Sequence, residues 1–220
     1  FKEKTNKGAL IDAKKYLRSK SANRIYNELS GYAEKYKVNF VRCQDTNFLT
    51  INKKVLKELE EMFLKKPINV KLYIETRPEG INETTAQLLK NLNVDGVGMG
   101  IELAGEHFRE DELNRFSKQD SIFKAFEILK KHNIKRTSYN IIGLPNQNED
   151  SIKKTIEFNK KLSPDNVTVA FYSPYLGTAV QKKSHKLDYF DEHEDNVDGQ
   201  LRSVSKNSLV SIEQIKYYKK

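Results

Sequence analysis

Asp95-Gly96-Val97-Gly98-Met99-Gly100-Ile101-Glu102 decides how this chain reads. The run Asp95–Ile101 has the length and apolar content of a strand, carries three glycines, and delivers an acid at its end. Glycines in a strand mark close approach of a ligand or another backbone. A carboxylate at such an end can accept hydrogen bonds from ribose hydroxyls or an amino group, or be satisfied by a neighbouring arginine. Position alone leaves both open.

Working outward, strands and helices alternate with short loops. Val38–Arg42, Lys71–Ile74, Thr137–Ile142 and Val167–Phe171 are further short runs rich in β-formers. Helical spacing of apolar residues marks Ser21–Lys37 and a helix capped by Asn52 and closed by Pro67. It also marks segments from Gln119 to His132 and Ser151–Leu162, while a helix from Asn82 to Leu92 and a polar helix around Glu106–Leu113 complete the series. Lys2–Lys20 and Lys186–Gln200 read as loops, and Ser211–Tyr218 as a final helix. This alternation is the pattern of an α/β fold with a parallel sheet covered by helices. Periodicity does not decide whether the sheet closes. In a barrel-like arrangement the working groups would sit at the C-terminal strand ends. There stand Asp45, Glu75-Thr76-Arg77, Glu102, Ile142-Gly143-Leu144-Pro145 and Ser173–Thr178.

Composition bounds the function. With 220 residues and 37% hydrophobic content, one core is affordable in a single domain. A mean hydropathy of -0.72 means that the core must come from the strand runs. The net charge of +9 would suit an anionic partner, but the lysines scatter over pairs such as Lys53-Lys54 and Lys160-Lys161. Solvated helix faces account for that pattern, and no RNA-binding box accompanies it, so nucleic acid is disfavoured as a partner. No apolar run approaches the roughly 18 residues of a membrane span. No secretory or transit segment is visible, and a lone cysteine, Cys43, suits the reducing cytoplasm. The four histidines have no metal spacing, so no metal ligand is assigned, and no catalytic residue can be named. Cys43 reads as an inert, buried thiol.

Six segments in order carry a resemblance. They are Cys-Gln-Asp-Thr-Asn-Phe (43–48), Glu-Thr-Arg-Pro-Glu (75–79), Gly-Met-Gly-Ile-Glu (98–102), Leu-Asn-Arg (113–115), Tyr-Asn-Ile-Ile-Gly-Leu-Pro (139–145) and Ser-Pro-Tyr-Leu-Gly-Thr (173–178). Together they resemble the barrel of radical S-adenosylmethionine (radical SAM) enzymes, most closely the branch that often carries an N-terminal cobalamin-binding domain.

The resemblance implies a partial, TIM-like (β/α)6 barrel over residues 21–178, with a preceding segment (1–20) and a charged extension (179–220). It implies S-adenosylmethionine and a 4Fe-4S cluster as cofactors, with cobalamin a further candidate. The implied partners are a small-molecule substrate and an electron donor such as flavodoxin or ferredoxin. The implied reaction is reductive cleavage of S-adenosylmethionine to a 5′-deoxyadenosyl radical. Position by position, Asp45 and Thr46 would approach the methionine amino group, and Glu75 and Arg77 the third-strand rim, Arg77 at the carboxylate. Glu102 would reach the ribose or methionine moiety. Ile142 and Gly143 would lie beside adenine, and Tyr175, Gly177 and Thr178 at the adenine edge.

Two departures stand against the family pattern. After Gly-Leu-Pro the usual Gly-Glu-Thr is replaced by Asn146-Gln147-Asn148. The Cys-x3-Cys-x2-Cys loop is absent, so the expectation is an excerpt whose first strand and cysteine loop lie upstream of Phe1, inactive by itself. The other readings are a cluster-less barrel used for binding or scaffolding, an RNA methyl- or methylthiotransferase, and an ordinary barrel enzyme using Asp45, Glu75 and Glu102 as acid–base groups.

Overall fold

The order in which strands pair separates the two common ways of covering a parallel sheet. The computed structural model describes residues 19–172, 182 and 209–219. Its strands are β1 (Phe40–Arg42), β2 (Lys71–Thr76), β3 (Val94–Glu102), β4 (Lys135–Ile142) and β5 (Asn166–Phe171). They form one five-stranded sheet in sequence order, every neighbouring pair parallel. A doubly wound sheet reverses its strand order at a switch point; this sheet never does. Unbroken order with right-handed crossovers keeps the helices on one face and curves the sheet into a half-barrel. The expected partial barrel is therefore present.

The helices begin where side chains can occupy orphan N–H groups. Before α1 (Ala22–Tyr36), Ser21 Oγ accepts from the Arg24 amide. Asn52 does the same for α2 (Lys53–Lys65), and Asn82 with Thr85 forms a capping box on α3 (Glu83–Asn91). Such caps contribute about 1 kcal/mol each. The remaining helices are α4 (Glu106–Leu113), α5 (Gln119–Lys131), α6 (Glu149–Leu162) and α7 (Ile212–Lys219).

The core lies between helices and sheet. Leu72, Ile74, Val97, Met99 and Ile101 meet Leu59, Leu89, Ile122, Phe126 and Leu129 there, all buried. Several polar groups on this side pair with one another. Ser138 Oγ donates to Asn159 Oδ1 over 2.6 Å, and Asn159 Nδ2 donates to Asn140 Oδ1 over 2.8 Å. Thr155 of α6 accepts from the Ala104 amide, which ties that helix to the loop after β3. The loop expectations for Lys2–Lys20 and Lys186–Gln200 fall almost wholly outside the described residues.

Candidate functional site

Side chains alternate along a strand, so the register fixes what faces away from the helices. Tyr73 pairs with Gly96, Glu75 with Gly98, Gly98 with Thr137, and Gly100 with Tyr139. The glycines of β3 thus lie on the concave face beneath larger neighbours. The Tyr73 and Tyr139 hydroxyls, 2.8 Å apart, both reach over Gly98. Glu75 Oε1 accepts from Arg42 Nη2 at 2.5 Å and from Tyr139 Oη at 3.3 Å. Burial, then the Tyr73 hydrogen bond, pushes the Tyr139 phenol well above its ordinary range.

Farther up the same strand the register slips: Gly100 faces Tyr139, while Glu102 faces Asn140. Ile101 is the extra residue of a β-bulge, and Glu102 takes a left-handed conformation with φ 63°. Strain of this kind costs on the order of 1–3 kcal/mol in a non-glycine residue. The bulge brings the Glu102 carboxylate back over Gly100, where a Cβ would stand 2.5 Å from Oε1. Arg115 Nη2 contacts that oxygen at 3.2 Å. The carboxylate is buried, and desolvation raises its pKa more than Arg115 and Arg109 lower it.

Arg109 holds this geometry from behind. Fully buried on α4, it donates through Nη1 to the Leu103 and Ala104 carbonyls at 2.6 and 3.0 Å, and through Nη2 to Ser117. One guanidinium therefore joins the chain leaving Glu102 to the chain leaving Arg115. Asn114, left-handed at φ 51°, turns the backbone between them.

The end of β4 explains the first departure. Gly143 has φ 88°, which favours glycine. Gln147 is buried, and its Oε1 accepts from the Gly143 and Leu144 amides at 2.7 and 3.3 Å. Asn146 occupies a left-handed position at φ 60°, and Asn148 caps α6 through the Ser151 amide. Asn-Gln-Asn thus supplies a left-handed residue, a side-chain acceptor and a cap, roles that Gly, Glu and Thr can also fill.

Of the expected site residues, Glu102, Ile142 and Gly143 lie at adjacent strand ends and are buried. Asp45 and Thr46 are exposed after β1. Arg77 is also exposed, lining a cavity of about 440 Å³ with Asn47, Glu79, Arg115 and Phe116. Glu75 meets Arg42 on the concave face. Tyr175, Gly177 and Thr178 lie outside the described residues. Sequence reasoning gave no role to Arg42, Tyr73, Tyr139, Arg115 or Gln147. Leu-Asn-Arg was the one signal for Arg115, and the Gly-Glu-Thr comparison the one for Gln147. Cys43 is half-buried, its thiol pushed up to about 11 by burial and then by Asp45, as suits an inert cysteine.

The residues present do not fit an iron–sulfur cluster. Among the described residues no three His, Cys, Asp or Glu side chains gather as metal ligands, and the sequence contains one cysteine. What they offer a nucleoside-bearing molecule is the Glu102 carboxylate as an acceptor at the strand end, while Tyr73, Tyr139 and Glu102 itself fill the space over the β3 glycines. No described helix is long and apolar enough to cross a membrane.

Residues 5–158 match the Radical SAM superfamily, and the chain belongs to it. An uncharacterized methyltransferase of Pyrococcus horikoshii is 28% identical over 166 residues, 76% of this chain and 36% of that protein. The anaerobic magnesium-protoporphyrin IX monomethyl ester cyclase of Rubrivivax gelatinosus is 24% identical over 177 residues, 79% of this chain and 32% of that protein. The chain spans about a third of the length of these curated relatives. Among solved structures, the radical S-adenosylmethionine methyltransferase TsrM of Kitasatospora setae, with cobalamin and a 4Fe-4S cluster bound, has a TM-score of 0.62 at 14% identity. That match covers 70% of this chain and 31% of TsrM, and the likeness is one of fold.

Proposed function

We propose that this chain is the S-adenosylmethionine-binding part of a radical SAM enzyme acting on a small molecule. The observation that carries the reading is the Glu102 carboxylate, buried at a bulged strand end over Gly100 and partnered by Arg115. When bound, the cofactor supplies radical chemistry through reductive cleavage of its sulfonium.

The chain's own groups bind and orient it. Glu102 accepts from the ribose hydroxyls or the methionine ammonium. Arg77, beside Arg115 in the cavity, offers a planar fork to the methionine carboxylate. The backbone at Ile142 and Gly143 lies against adenine, with Tyr175, Gly177 and Thr178 completing that edge. Asp45 and Thr46 serve the ammonium end, and Glu75 orients Arg42 and Tyr139 on the face below.

The cluster needs more thiolates than this sequence has, so we place its cysteines outside these 220 residues. The likeness to TsrM makes cobalamin the additional cofactor to examine first. Calorimetric titration of S-adenosylmethionine into the protein tests the reading. Binding by the wild type, weakened at least about tenfold in Glu102→Ala, supports it. Equal affinity in the two proteins removes Glu102 from the site.

A further inference from the structure

The terminal helix α7 lies outside the matched family region, yet it packs against the Gly143 turn. Ile215 is fully buried and clusters with Ile142, Ile152 and Val210. A Cβ built on Gly143 would stand 3.6 and 3.7 Å from Ile215 Cδ1 and Cγ2, ordinary contact distances, so the isoleucine tip covers the bare α-carbon.

A cap starts the helix, and two contacts to other elements hold it there. The Ser211 hydroxyl accepts from the Gln214 amide at 3.2 Å, while Gln214 Oε1 accepts from the Ser211 amide at 3.0 Å. Tyr218 Oη donates to the carboxylate of Glu149, at the start of α6. Lys219 Nζ stands 3.8 Å from the centroid of the Phe171 ring, at the end of β5. The helix therefore bridges α6 and β5 beside the turn.

Gln147 grips the amide side of the same turn, through Gly143 and Leu144. The turn is thus pinned from two sides, by a hydrogen-bond acceptor and by an apolar wall. Its backbone position is set by both.

We infer that α7 is part of the nucleoside end of the site, with Ile215 the positioning residue that sets where the Gly143 backbone meets adenine. The inference rests on the S-adenosylmethionine reading above. Shortening Ile215 opens space behind a left-handed glycine, and the turn relaxes into that space because a packed neighbour no longer opposes it.

Calorimetry on the chain, with S-adenosylmethionine and with 5′-deoxyadenosine as separate probes, tests this. Ile215→Ala should weaken both ligands by a similar factor, about five- to tenfold. Ile215→Val should recover most of the affinity, and Tyr217→Ala, at a side chain 71% exposed, should bind as wild type. If Ile215→Ala does not fold, Ile215→Val carries the comparison, with a loss of about two- to threefold expected for both probes. A lower thermal midpoint with unchanged affinity overturns the inference, as does weakening of S-adenosylmethionine alone. A wild type that binds neither probe sinks the parent reading instead.

Discussion

The Glu102 carboxylate rests over Gly100, its Oε1 2.5 Å from the place a Cβ on that glycine would take. Gly100→Ala therefore cannot leave the carboxylate where it is. The methyl should displace it from Arg115 and lower S-adenosylmethionine affinity by about tenfold or more, with the fold intact. Calorimetry beside a thermal melt checks this; unaltered affinity would mean that the carboxylate position is immaterial.

Glu102 also sets a pH dependence. Burial raises its pKa in the folded state above the ordinary value near 4.5, against the opposing pull of Arg115 and Arg109. The folded chain thus holds this proton more tightly than the unfolded chain. Its contribution to stability is complete below the unfolded pKa and is lost as pH rises through the folded pKa. Glu102→Gln should flatten that part of the stability profile. Urea midpoints between about pH 4 and pH 7 measure it, and identical slopes in both proteins would contradict the assignment.

Gln147 separates acceptor chemistry from charge. Gln147→Leu leaves the Gly143 and Leu144 amides without this acceptor. The expected loss is about 1–3 kcal/mol. Gln147→Glu keeps an acceptor oxygen in place and should recover much of that loss. A leucine variant as stable as wild type would dismiss the buried amide contacts as a source of stability.

Two glycines should respond oppositely to alanine. At Gly98 a Cβ would lie 2.5 Å from Tyr139 Cε2 and 2.7 Å from both tyrosine hydroxyls. Moving those rings should cost about 1–3 kcal/mol. Gly31 is exposed within α1 and has nothing within 4 Å of its Cβ position. Alanine there should stabilise by roughly 0.5–1 kcal/mol. Denaturant unfolding of the two variants provides the comparison.

Much of the framework was legible because local signals agreed with it. Ser21, Asn52 and Asn82 cap helices where polar residues precede apolar periodicity. The glycine-rich run became the strand that hosts Glu102. What sequence did not yield was pairing over distance. Sequence alone ends the second strand at Ile74. The strand continues to Thr76, so Glu75 alternates onto the concave face with Tyr73. Its partner Arg42 is 33 residues away and Tyr139 is 64 away, separations that no periodicity reports. Arg115 was hidden for another reason: a left-handed Asn114 carries it back toward a carboxylate that only a bulge brings within reach.

The most direct test of the central claim is a crystal structure of the protein with S-adenosylmethionine bound. The account predicts the ribose or methionine ammonium within hydrogen-bond distance of Glu102 and adenine against the Ile142–Gly143 backbone. Ligand bound elsewhere, with the Glu102 carboxylate still closed over Gly100 and contacting only Arg115, would contradict it.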